Sequence, residues 1–182
     1  MVFVPVENRE GIQPIQNANA ALPSQYQVGQ SQFFGQAHPL GTIIRAYDST
    51  GVQGECEFIY LKGVASTVVG TLVTYNTTAP STTLAPNTAN LAQPVAVAMS
   101  VCTAGNFGWY QISGVASIKK TAVKVNPNVP IFLSATAGRV MPTQASGKEI
   151  LNARTVNAAT VASATSTILV QINRPFAQGQ TV

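Results

Sequence analysis

The chain has 182 residues, enough for one domain or one domain with an arm, and 46% of them are hydrophobic, enough for a substantial core. Only 9% are charged, against about 25% in an ordinary soluble domain, so the surface is poorly solvated unless partners cover it. The net charge of +4 is scattered over Lys62, Lys119, Lys120, Lys124, Arg139, Lys148, Arg154 and Arg174 with no basic run, which argues against a dedicated nucleic-acid binder.

The chain divides near His38–Pro39, giving an extended N-terminal arm over residues 1–38 and a β domain over residues 39–182. The arm contains "QPIQNANAALPSQYQVGQSQFFGQ" and shows neither helical nor strand period, so it should not pack into a core by itself. It is nevertheless too apolar for a solvated tail, and no charge occurs between Glu10 and Arg45. Such a segment gains order by lying along another surface, as peptides do when they add to a sheet edge. Val2, Phe3, Val4, Phe33 and Phe34 are its candidate contact residues. The opening "MVFVPVENREG" lacks the basic and continuous apolar regions of a secretory signal, and no stretch of the chain is long and apolar enough to cross a membrane.

From residue 40 onward short strands alternate with turns. Strands are expected at 41–47 ("GTIIRAY"), 55–63 ("ECEFIYLKG"), 71–76 ("TLVTYN") and 93–101 ("QPVAVAMSV"), with a Thr/Pro/Asn loop over 77–90. In the second of these, Cys56, Phe58 and Tyr60 share one face and Glu57, Ile59 and Leu61 the other. Further strands follow at 130–135 ("PIFLSA"), at 139–143 ("RVMPT") after a tight turn, and at 166–176 ("STILVQINRPF"). The Ala-rich residues 145–162 suit a helix or a strand. Nine or ten short strands of this kind imply an all-β barrel or sandwich.

The stretch "NFGWYQISG" (residues 106–114) holds the chain's single tryptophan. Phe107, Trp109 and Gln111 alternate with Gly108, Tyr110 and Ile112, and Gly105 and Gly114 bound the segment. No charge occurs between Gly63 and Ile118, so the arginines and lysines that accompany an aromatic nucleic-acid platform are missing. The reading is a strand buried on both faces, with Trp109 in the core and Tyr110 core-facing or at a subunit contact. The rival reading is a carbohydrate-binding module, in which Tyr60, Trp109 and Tyr110 form a stacking surface.

Candidates for catalysis are few. His38 is the only histidine, Glu55 and Glu57 share a strand face at a turn, and Cys56 and Cys102 lack partners at zinc-site spacing. No phosphate loop or nucleophile elbow is present. No catalytic, cofactor-binding or metal site is assigned, no cofactor is expected, and the chain is read as a non-enzyme. Both cysteines lie in apolar runs and are expected to be reduced and buried.

The phrases "GECEFIYLKGVASTVVGTLVTYN", "AVAMSVCTAGNFGWYQISGVA", "PIFLSATAGRV" and "INRPFA" resemble small virion proteins of tailed bacteriophages, in particular head decoration or cement proteins. The resemblance runs roughly from Leu40 to Ala177, and the arm matches less well. It implies an all-β accessory protein on the outer capsid surface of the virion, assembled in the host cytoplasm. Its implied partners are the major capsid protein and other copies of itself, as a homotrimer or alternatively a dimer, with no direct nucleic-acid or membrane contact. Another virion component, such as a tail, head-fibre or fibre-base protein, is the alternative within the same class.

Overall fold

The structure, a computed structural model, describes residues 3–6, 15, 36, 38–51 and 53–180. Among these the fold is all-β, without helices. The strands are β1 (Phe3–Pro5), β2 (Ile43–Asp48), β3 (Glu55–Lys62), β4 (Leu72–Tyr75), β5 (Thr82–Leu84), β6 (Val95–Ala98), β7 (Phe107–Lys119), β8 (Pro130–Leu133), β9 (Val140–Met141), β10 (Glu149–Thr155) and β11 (Thr167–Ala177). They form one antiparallel sheet in the order β1-β2-β3-β7-β11-β10-β8-β9, with β6, β4 and β5 branching from β7. The sheet folds over on itself in a sandwich-like way.

The long strand β7 organises the molecule. Tyr110 pairs with Ile59 of β3 on one side and Ala98 of β6 on the other, while Ser113 pairs with Glu57 of β3 and Asn173 of β11. Strands β6 and β11 therefore follow one another along the same edge of β7. The changeover lies beside Gly114, whose φ of 97° is left-handed, and the β3–β7 register slips at this point. A Cβ on Gly114 would collide with the Cys56 thiol. The fully buried Gln111 turns its amide forward along the strand, donating from Nε2 to the carbonyls of Ser113 (3.1 Å) and Val115 (3.0 Å). A polar side chain on a core-facing strand is thereby satisfied.

Three apolar clusters fill the interior. One gathers Phe3, Ile15, Ile44, Ala46, Cys56, Phe58, Tyr60, Met99 and Trp109. A second, on the opposite face of β3 and β7, gathers Ile59, Leu61, Val73, Ala96, Ala98, Cys102, Tyr110 and Ile112. The third takes the C-terminal half, with Ile118, Val125, Ile131, Leu133, Val140, Ile150, Ile168, Val170 and Ile172 among its members. The turn from β2 to β3 is tied by the buried Asp48 carboxylate, which accepts from Thr50 N and Oγ1 and from Gln53 N.

Three local features differ from expectation, and the open choice of helix or strand at residues 145–162 is decided. Residues 77–90 contain strand β5, because Val73↔Leu84 pairing continues the β4 ladder. Residues 149–155 are strand, since β8 and β11 flank them on both sides. Gly114 does not end its strand, and β7 runs on to Lys119 around the bulge. In the arm, Phe3–Pro5 pairs with β2, and Phe3 and Ile15 reach the chain's own core.

Candidate interaction surface

Consecutive side chains of β7 enter different cores. Trp109 (1% exposed) joins the first cluster and Tyr110 (0%) the second. Tyr60 is also sealed, packed edge-on against Trp109 at 5.0 Å between ring centroids. Tyr60, Trp109 and Tyr110 therefore offer no stacking surface, which corrects the carbohydrate-platform reading. Both faces of β7 are buried from Gly108 to Ile112, and both faces of β3 from Phe58 to Leu61. His38 seals the rim of this cluster, 5.1 Å from the Tyr60 ring and 5.2 Å from Trp109. Its burial lowers the imidazole pKa.

The expected contact residues separate. Phe3 is buried, its ring 4.9 Å from Phe58, so it serves the chain's own core and presents no surface. The same holds for Tyr110. Val4 is exposed. Val2, Phe33 and Phe34 lie outside the described residues.

The side chains that do face outward form rows across the sheet. Register places Val4 beside Tyr47 and Tyr47 beside Glu55. The next row runs Arg45, Glu57, Ser113, Asn173 over four strands. With Val6 (54% exposed), Ile43 (41%) and Tyr47 (47%), this edge of the sheet carries four of the seven large exposed hydrophobics among the described residues. Alternation explains why: residues 43, 45 and 47 share the face opposite Ile44 and Ala46, which are buried.

Charge also gathers here. Arg45 Nε meets Glu55 Oε1 at 3.0 Å and Arg174 Nε meets Glu57 Oε2 at 3.2 Å. Together with Ser113 and Asn173 they line an open polar cleft of about 330 Å³. Arg174 holds a left-handed φ of 44° inside β11, which aims its side chain toward Glu57. Exposed pairs of this kind stabilise little, about 0–1 kcal/mol, so they orient a surface more than they hold a fold. Sequence spacing brings Glu55 and Glu57 to one face, but nothing in it places Arg174 there; only the β7–β11 ladder does. A second open cleft, about 430 Å³, lies between Phe132, Gln144, Ser146, Glu149 and Gln178.

Lys120 departs from the scattered surface charge that the sequence suggests. It is 1% exposed, and Nζ donates to the carbonyls of Thr121 (3.2 Å), Val123 (2.8 Å) and Ser163 (3.2 Å). Its own carbonyl accepts from Arg139 Nη1 at 3.1 Å. Burial lowers the ammonium pKa. Cys56 and Cys102 are free, buried and in different clusters, and burial pushes the Cys56 thiol up to about 11.

No family model matches the chain, and no curated protein matches it. Among solved structures it is similar to one titled "The capsid of Myoviridae Phage XM1", with a TM-score of 0.42 and 12% identity, covering 85% of this chain and 99% of that one.

Proposed function

We propose that this chain is a structural protein of a tailed-bacteriophage virion, and within that class a capsid decoration protein that binds the outer capsid surface and stabilises contacts between major capsid subunits. The observation that carries the reading is the outward face at the β1–β2 edge, where Val4, Val6, Ile43 and Tyr47 lie beside the Arg45–Glu55 pair. An apolar patch rimmed by charge, on a rigid sheet, suits a broad protein partner better than a small ligand. The phrase-level resemblance noted in the sequence points to the same class, and the low charge content suits a protein largely covered by neighbours. Repetition over a capsid lattice turns a modest single contact into firm attachment. Self-association, as a trimer or dimer, belongs to the same proposal.

The test is co-sedimentation with particles lacking this protein, using the wild type, Ile43→Lys and Tyr47→Lys. Both substitutions sit on exposed positions and should leave the melting temperature unchanged while lowering occupancy roughly tenfold or more, the effect of losing about 1.4 kcal/mol per site. Wild-type binding with unaffected variants would move the contact elsewhere on the molecule. Failure of the wild type to bind any particle would remove the virion reading. Copy number separates decoration from a tail or fibre role, since decoration predicts stoichiometry near that of the major capsid protein.

A further inference from the structure

We propose that strand β1 can leave its place beside β2 and take the same place on a second copy of this chain. Four observations carry this. The strand is three residues long and stands at the end of the sheet path, paired with β2 alone. It is held by a short ladder (Phe3↔Asp48, Val4↔Tyr47, Pro5↔Ala46), by Val6 N donating to Arg45 O at 2.9 Å, and by the Phe3 ring against Phe58. The slot that receives it is built from β2, β3 and β7 through Ile44, Ala46, Phe58, Tyr60 and Trp109. Every copy therefore carries an identical slot to which β1 contributes nothing but its occupant.

The fourth observation is the connection. Antiparallel neighbours are ordinarily joined by about two to five residues. Here the chain between β1 and β2 runs from residue 6 to residue 42, with Ile15 returning to the same core as Phe3. A connection of that length is not needed to close a hairpin. The 22 residues between Ile15 and His38 reach at most roughly 70 Å. A globular chain of this size has a radius of gyration of about 16 Å, so an adjacent copy lies within reach.

Exchange keeps every contact and changes only which chain supplies the strand, so connection entropy decides between the two forms. A tethered strand meets its own slot at an effective concentration on the order of millimolar. In dilute micromolar solution the strand stays at home by about a thousandfold. Where copies are held side by side the advantage disappears and the exchanged form becomes accessible. Exchange then links neighbouring copies without any new surface. This inference stands on the strand and its connection and does not require the virion reading.

The test uses the register pair Val4 and Tyr47, both exposed, so that cysteines there leave the core untouched. A full-length Val4→Cys chain is mixed with a full-length Tyr47→Cys chain under mild oxidant, from micromolar to millimolar concentration. The native Cys56 and Cys102 are buried and do not interfere. The peptide linking position 4 of one chain to position 47 of the other is then quantified by mass spectrometry. The expected result is a cross-chain link that rises with concentration and exceeds by roughly tenfold a control mixture of Val4→Cys with Leu151→Cys, an exposed position on β10 outside the slot. The double variant Val4→Cys, Tyr47→Cys should close within one chain at low concentration. If it closes internally while the mixture gives no more cross-link than the control, exchange is overturned. If it does not close at all, the β1–β2 register on which the proposal rests is itself wrong.

Discussion

Trp109 and Tyr110 are bonded neighbours that never share a core: one side chain packs against Tyr60 and Phe58, the other against Ile59 and Ala98 across the strand. Trp109 is completely enclosed and its Nε1 has no hydrogen-bond partner among the described residues. Trp109→Ala should cost roughly 3–5 kcal/mol, a large share of the about 5–15 kcal/mol that holds a domain together. Native fluorescence should be blue-shifted and poorly quenched by iodide. A red, readily quenched spectrum with an unchanged alanine variant would place the indole outside.

Gly114 should tolerate no side chain. Its φ of 97° is strained for any L residue, and an added Cβ meets the Cys56 thiol. Gly114→Ala is expected to destabilise by about 1–3 kcal/mol from the backbone conformation alone, with the collision in addition. Adding Cys56→Ala should recover only the collision part. Urea unfolding of the single and double variants separates the two contributions, and a neutral Gly114→Ala would show that neither the left-handed backbone nor the close thiol is present at this position.

Lys120 is an internal clamp that joins residues 121–123 to residue 163 through three carbonyls. Lys120→Met relieves the cost of burying an ammonium; the Thr121 carbonyl keeps the Val123 N–H at 2.7 Å, but those of Val123 and Ser163 lose the lysine donor, at about 1–3 kcal/mol each if water cannot reach them. A net loss of about 2 kcal/mol or more is expected, read as a lower urea midpoint. An unchanged midpoint would mean that desolvation of the lysine cancels its bonds. The pH sign is also fixed. Because the folded pKa is lowered, the folded state binds this proton less tightly than the unfolded one, so its contribution to stability improves as pH rises toward the ordinary lysine value of 10.5 and is worst below the lowered pKa.

His38 gives an acid-side dependence. Its folded pKa lies below 6.5, so both states hold a neutral ring above that value and the ring contributes no slope there. As pH falls below 6.5 the unfolded chain takes up the proton first, and stability declines until the folded pKa is passed. The ring is only partly buried, so the decline should be modest. His38→Phe should flatten this segment of a melting-temperature profile, and an identical profile in the variant would clear His38 of the effect.

The thiols should be slow. With Cys56 shifted to about 11 and Cys102 also raised by burial, little thiolate forms near neutrality. Native protein should react with a thiol reagent at pH 8 only at the rate of unfolding, and both thiols should titrate in denaturant. Rapid reaction of the native protein would contradict their burial.

The strand faces were legible because alternation is a local property. The split of Cys56, Phe58 and Tyr60 from Ile59 and Leu61, and of Trp109 from Tyr110, follows from a period of two and needs no knowledge of partners. What escaped depended on pairing across long separations. Gly114 looks like a terminator, yet its pairing with Ile172 of β11 keeps it inside a longer strand. Lys120 looks like one of the scattered charges, yet carbonyls from two separate loops close around it. Arg174 joins Glu57 only because β11 returns beside β7. The burial of Phe3 was illegible for the same reason, its slot being made by residues far along the chain.

The way β7 shares its edge has a consequence for synthesis. Its second half, from Ser113 to Lys119, has its partner in β11, which ends at Ala177. At about 5–20 residues per second the ribosome delivers β11 only after β7 has waited for several seconds. Until then the Ala116 and Ile118 side of the strand lacks its cover, and the long-range pairing it needs is of the slow kind. A chain broken off before β11 therefore cannot complete the domain.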